Sequence, residues 1–169
     1  MSTHTQRKLS SICSEQAYSW LQNWINEQHP GAYPGTPLNY FYRNTAHREY
    51  KSRFLESVIL KVCNAKGGRA RKPADKGRSI DTSRIVINVL GQQKKIGGRV
   101  FVKNSNVRVG SADIEWIYNS KVVNWEVKIG SDKQSTAQIA EELRAIKNKE
   151  LYFLVKTVDE FIEIYLDRF

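Results

Sequence analysis

Only two cysteines occur in the 169 residues, Cys13 and Cys63, and neither has a second Cys or a His at metal-ligand spacing. A disulfide framework and a thiolate zinc site therefore lack their parts, and two free, buried thiols are expected. The three histidines, His4, His29 and His47, are scattered, which leaves neither zinc hydrolysis nor a Ser-His-Asp nucleophile a recognisable arrangement. A glycine-rich phosphate loop and an internal repeat are also missing. No run approaches 18 apolar residues, and the opening MSTHTQRKLSSICSEQ has no apolar signal stretch, so a soluble, intracellular protein with no membrane partner is expected.

Acidic residues are in short supply: 17 against 27 Lys and Arg, a net charge of +10. Such an excess implies an acidic partner. It is concentrated in residues 1–78, with 13 basic residues against 5 acids, while residues 79–169 hold 14 against 12. A basic N-terminal helical extension (1–78) and a second, more neutral part (79–169) follow from that division.

Apolar spacing predicts a helix over Ser14–Gln28, with Ala17, Trp20, Leu21, Trp24 and Ile25 on one stripe, and a stiff connector over His29–Asn39 with three prolines and two glycines. The aromatic cluster Tyr40, Phe41 and Tyr42 is expected to pack on a neighbouring helix. A second helix is predicted from Thr45 to Cys63, where Tyr50, Phe54, Leu55, Val58, Ile59 and Val62 recur at three- and four-residue steps. Lys66–Arg78 carries six basic residues in thirteen, Lys66, Arg69, Arg71, Lys72, Lys76 and Arg78, and no large apolar one. It reads as a mobile, phosphate-neutralising loop that gives affinity without sequence preference. Asp81–Lys95 places Ile85, Val86, Val89 and Leu90 on one helical face, although its β-branched content also suits a strand. Arg99–Lys103 alternates as a strand, Ser135–Lys147 reads as a helix, Leu151–Lys156 as a strand and Val158–Asp167 as a closing helix.

Between them, Ala112–Tyr118 and Lys121–Ile129 form a predicted hairpin about Asn119-Ser120. With Tyr118 facing Lys121, Asp113 falls opposite Glu126, their carboxylates about 4.5–5.5 Å apart on one face. Lys128 lies on that same face. Like charges set opposite one another destabilise a sheet, and a divalent cation between them removes the conflict; oxygen ligands and phosphate chemistry suit magnesium. A lysine beside it can orient water or balance charge at phosphorus. Glu-x-Lys alone says little, since Glu49-Tyr50-Lys51 repeats it on a solvated helix face.

The hairpin is followed by Asp132, Ser135 and Gln138, giving Lys-x3-Asp-x2-Ser-x2-Gln after a preceding Gly-x-Ala-Asp. This pattern resembles the VRR-NUC family of PD-(D/E)XK nucleases over roughly Asp81–Phe161. The resemblance implies an α/β fold with a restriction-endonuclease-like core, a mixed central sheet of about four strands flanked by helices. It implies metal ligation of Mg²⁺ or Mn²⁺ by Asp113, Glu126 and the backbone carbonyl of Val127, with Lys128 catalytic and Gln138 pointing into the site. It also implies a helix for Asp81–Lys95, branched or otherwise structured DNA as substrate, a possible homodimer, and a bacterial or phage-infected cytoplasm. One departure stands out: no Glu lies between Glu56 and Glu115, so the glutamate usual near the start of the first core helix has only Asp81 as a substitute, and Asp81 equally suits a helix cap. Two competing readings are a nuclease scaffold that binds nucleic acid without cutting, and a nuclease acting on RNA or in host defence.

Overall fold

The computed structural model describes residues 11–31, 40–41, 50–73, 78–87, 91–102 and 109–169. Helix α1, Glu15–Gln28, starts where the Ser14 hydroxyl accepts a hydrogen bond from Ala17 N–H at 3.1 Å. Its stripe Ala17, Leu21, Trp24 and Ile25 is buried. Helix α2, Tyr50–Lys66, turns Phe54, Leu55, Val58, Ile59, Val62 and Cys63 inward, each without solvent exposure. Phe41 is buried against Trp24 and Phe54 and Tyr40 lies edge-on to Trp24, as expected of these two residues; Tyr42 lies outside the described residues.

Beyond α2 the chain departs from expectation. Lys66 closes the helix, and Arg69–Arg71 forms strand β1. The basic run is therefore largely ordered; Lys76 lies outside the described residues. No helix forms over the described part of Asp81–Lys95, which runs from the end of β2 through β3 into β4; residues 88–90 lie outside the described residues, and the strands in order are β2 (Arg78–Asp81), β3 (Arg84–Ile87), β4 (Gln93–Ile96) and β5 (Arg99–Val102). The strand expected at Arg99–Lys103 is the last of these. β2 pairs with β5 and β3 with β4, both antiparallel. Ile85-Val86-Ile87 explains the outcome, since β-branched side chains lose χ1 freedom in a helix and keep it on a pleated strand.

The remaining strands are β6 (Ile114–Tyr118), β7 (Lys121–Val127) and β8 (Leu151–Val155), with helix α3 (Thr136–Lys147) crossing between the last two. Helix α4, Val158–Arg168, follows β8. The sheet order is β1-β6-β7-β8; β1, β6 and β7 run antiparallel and β8 parallel to β7. The protein is thus α/β, the described residues combining a mixed four-stranded sheet with helices α1 to α4.

Because strand side chains alternate, the sheet has two unlike faces. Ala70, Ile114, Trp116, Val123, Trp125, Val127 and Val155 are buried on one, in a cluster with α1, α2 and α4. That single cluster runs from Ile12 to Tyr165, so residues on both sides of position 78 share one core. The opposite face carries Arg69, Arg71, Asp113, Glu115, Asn124, Glu126, Lys128 and Tyr152, and α3 lies over part of it.

Candidate active site

Asn119 and Ser120 adopt φ of 47° and 61°, the doubly left-handed turn that matches strand twist. It fixes the expected register, Tyr118 opposite Lys121 and Ile114 opposite Trp125. Asp113 immediately precedes Ile114, and its charge acts on Glu126, the residue after Trp125. Here the ladder changes partner: Val127 N–H donates to Asp113 Oδ2 at 2.9 Å. The N–H and C=O of one strand residue point the same way, so the Val127 carbonyl also faces Asp113.

Glu126 has no solvent exposure and Lys128 only 7 %. Lys128 Nζ lies 2.8 Å from Glu126 Oε1 and 3.7 Å from Asp132. Gln138 Nε2 donates to the same Glu126 oxygen, and Tyr152 Oη reaches Oε2 at 3.4 Å. Burial raises the pKa of Glu126; the Lys128 hydrogen bond opposes this and the Asp113 charge adds to it. For Lys128, burial pulls the pKa down, but the Glu126 hydrogen bond and charge, with Asp132 and Asp113, outweigh it and leave it raised. Lys128 is held as an ammonium. Tyr152 is raised by burial and by the Glu126 charge, and so stays a neutral donor.

Gln138 is aimed by its own helix start. Ser135 caps α3: Gln138 N–H donates to Ser135 Oγ at 3.3 Å, while Ser135 N–H donates to Gln138 Oε1 at 2.8 Å. This reciprocal capping box uses the amide oxygen and leaves the NH2 for Glu126. Gly110, φ +86°, lets the preceding turn lie against that first helical turn: a Cβ there would sit 2.4 Å from the Ala137 carbonyl oxygen. The sequence pattern Gly-x-Ala-Asp … Ser-x2-Gln thus has a local cause, and Ser-x-x-Gln was legible as a capping box. Tyr152, two strands from Asp113, carried no sequence signal.

The arrangement brings Asp113, Glu126, Val127, Lys128 and Gln138 together. It does not include Asp81, which is exposed at the end of β2 and accepts from Ser83 N–H at 2.8 Å; the Ser83 side chain, and then its N–H, hold the Asp81 carboxyl below the usual range. Asp81 is thus a local turn cap on a strand, not a helix cap. Among the described residues no three His, Cys, Asp or Glu side chains gather as a metal cage. Two carboxylates and a carbonyl nevertheless make the hard, oxygen-only donor set that suits magnesium, which keeps several waters and needs few protein ligands. Of the six basic-run residues, Lys66 ends α2 with its amine 5.9 Å from the Tyr165 ring centre. Arg71 pairs with Glu115 at 2.7 Å and Lys72 pairs with Glu56. Arg69 is exposed on β1 and Arg78 begins β2.

No protein family, curated protein or solved structure matches the chain.

Proposed function

We propose that the chain is a Mg²⁺- or Mn²⁺-dependent deoxyribonuclease with a restriction-endonuclease-like core, hydrolysing phosphodiester bonds in branched or otherwise structured DNA. What supports this reading is the nearness of two carboxylates: the Asp113 charge acts on buried Glu126, Asp113 Oδ2 accepts from the adjoining Val127 N–H at 2.9 Å, and Lys128 Nζ lies 2.8 Å from Glu126 Oε1. The element order α2-β1-β6-β7-α3-β8 supports it, with β2–β5 as an insertion. In that order the first core helix is α2, whose Glu56 is engaged by Lys72.

A divalent ion bound by these oxygens lowers the pKa of bound water and offsets charge on the phosphate. Asp113 and Glu126 supply negative charge to hold it, and the Val127 carbonyl adds a neutral ligand. Lys128 is a fixed donor where charge builds on phosphorus as the water oxygen bonds and the ester oxygen departs with its electron pair. Gln138 and Tyr152 keep Glu126 from rotating away.

Purified protein incubated with linear duplex, four-way junction, flap and RNA substrates, in Mg²⁺ or EDTA, tests the reading. Metal-dependent cutting of branched DNA, lost in Asp113→Ala, Glu126→Ala and Lys128→Ala with DNA binding kept, is expected. Wild-type cutting by any of the three removes the site. Binding without cutting identifies a non-catalytic scaffold, and preferential RNA cleavage identifies the other competitor. Metal binding has its own readout: Mg²⁺ at ten times its Kd should stabilise the wild type by about 1.4 kcal/mol. Asp113→Ala should show no such rise in Tm.

A further inference from the structure

Residues 78–87 and 93–102 form a two-stranded ribbon. Arg78 pairs with Val102 and Asp81 with Arg99; three residues on, the same register resumes with Arg84 opposite Ile96 and continues to Ile87 opposite Gln93. Neither ladder joins the four-stranded sheet. The break between them is built: Thr82 N–H and its hydroxyl both donate to the Gly98 carbonyl, at 2.9 and 2.7 Å. Gly97, φ +83°, allows the Thr82 carbonyl oxygen within 2.6 Å of where a Cβ would stand.

Three properties of this ribbon need a common explanation. Residues 84–87 and 93–95 are exposed without exception. Among them are Ile85 at 66 % and Ile87 at 63 %, with Val100 at 51 % near the base, a high exposure for side chains that gain from leaving water. The segment carries five basic residues, Arg78, Arg84, Lys94, Lys95 and Arg99, against one acid, Asp81. An isolated two-stranded hairpin is marginally stable in water, so its persistence as an arm points to a surface that receives it.

We propose that this ribbon seats in the major groove of B-form DNA. Ten residues per strand reach about 30 Å, close to one duplex turn, and the major groove, about 12 Å wide, admits a two-stranded ribbon. Pair alternation puts Arg84 and Lys94 on one face and Lys95 on the other, so cations reach the phosphates of both groove walls. Ile85 and Ile87 share a face and meet thymine methyls and sugar edges, contacts that exclude water without demanding a fixed sequence. Double-stranded RNA is excluded by the same geometry, because its A-form major groove is too deep and narrow for side chains to read. This names a partner for a part of the chain outside the proposed catalytic centre and does not require cutting.

The test is equilibrium binding of the full chain to a 25-bp DNA duplex in EDTA over a salt series. Arg84→Ala, Lys94→Ala, Lys95→Ala and Arg99→Ala combined should weaken binding at least tenfold and reduce the salt slope by up to about 3.5. Replacing residues 84–96 by Asn-Gly should do the same with the base of the ribbon retained. Exchanging each Arg for Lys and each Lys for Arg should preserve both quantities. Duplex RNA of the same length should compete at least tenfold less well than DNA. Unchanged affinity and slope in both loss variants, equal competition by RNA, absence of duplex binding by the wild type, or a change in oligomeric state by light scattering without a change in DNA binding each overturns the proposal. Since no metal is present, these results are independent of whether Asp113 and Glu126 catalyse anything.

Discussion

Gly110 shows how much one missing Cβ can decide. Its left-handed backbone and the nearby Ala137 carbonyl leave no room for a methyl group, so Gly110→Ala must displace either the turn before Asp113 or the first turn of α3. A loss of about 1–3 kcal/mol is expected, read as a lower denaturant midpoint. Under the proposed function, cutting should fall further than stability alone accounts for, because Gln138 leaves Glu126. Full activity in a correctly folded Gly110→Ala protein would show that Gln138 has no positioning role. Cys13 offers a second residue-scale test: burial, and then the Asp159 charge, push its thiol up to about 12. A raised acid keeps its full stabilising effect below its unfolded pKa near 9 and loses it as the pH rises toward 12. Both thiols are free and buried, so a thiol reagent at pH 8 should react with neither until denaturant is added; stoichiometric labelling of the native protein would contradict this.

At the scale of elements, the β6–β7 hairpin carries a residue poorly matched to its turn. Ser120 sits at φ 61°, where glycine has no Cβ penalty and Asn-Gly is the favoured pair. Ser120→Gly should therefore stabilise the protein by up to about 1 kcal/mol, seen as a higher Tm, and leave the register unchanged; a lower Tm would place the strain elsewhere. This hairpin was legible in the sequence because turn, alternation and charge all agree on one register. The ribbon was not. Ile85, Val86, Val89 and Leu90 fit a helical stripe as well as a strand, and short apolar runs do not separate the two by spacing alone. What distinguished them was β-branching, together with the Gly97-Gly98 step that lets the paired strands bend, whereas the family likeness argued for a helix. The same reading hid β1, because Arg69-Ala70-Arg71 has only Ala70 to bury and looks like solvated loop; its pairing with Ile117, Trp116 and Glu115 is non-local.

For the whole molecule, charge and core are distributed differently, because charge reports on surface and not on core. Residues before 78 contribute the fully buried face of α2, which packs in one cluster with Trp116 and Trp125, and the edge strand β1, which extends the sheet beside β6. A fragment beginning at residue 79 would expose the sheet's side of that cluster. It should lack a cooperative thermal transition and bind a hydrophobic dye, while the full chain should unfold in one step. A sharp transition in the fragment would mean that the sheet can close its core without α2. Among the described residues no helix is long and apolar enough to cross a membrane.

Arg78 faces Val102, so the chain leaves for the ribbon and returns from it at neighbouring points. Under the proposed function the ribbon is an insertion with adjoining feet, a detachable tool that descendants can lengthen, trade or discard while the carboxylate pair stays as it is. Diversity in what such proteins grasp would then accumulate in residues 78–102, and chimaeras exchanging that segment alone should inherit the donor's choice of target with the recipient's chemistry.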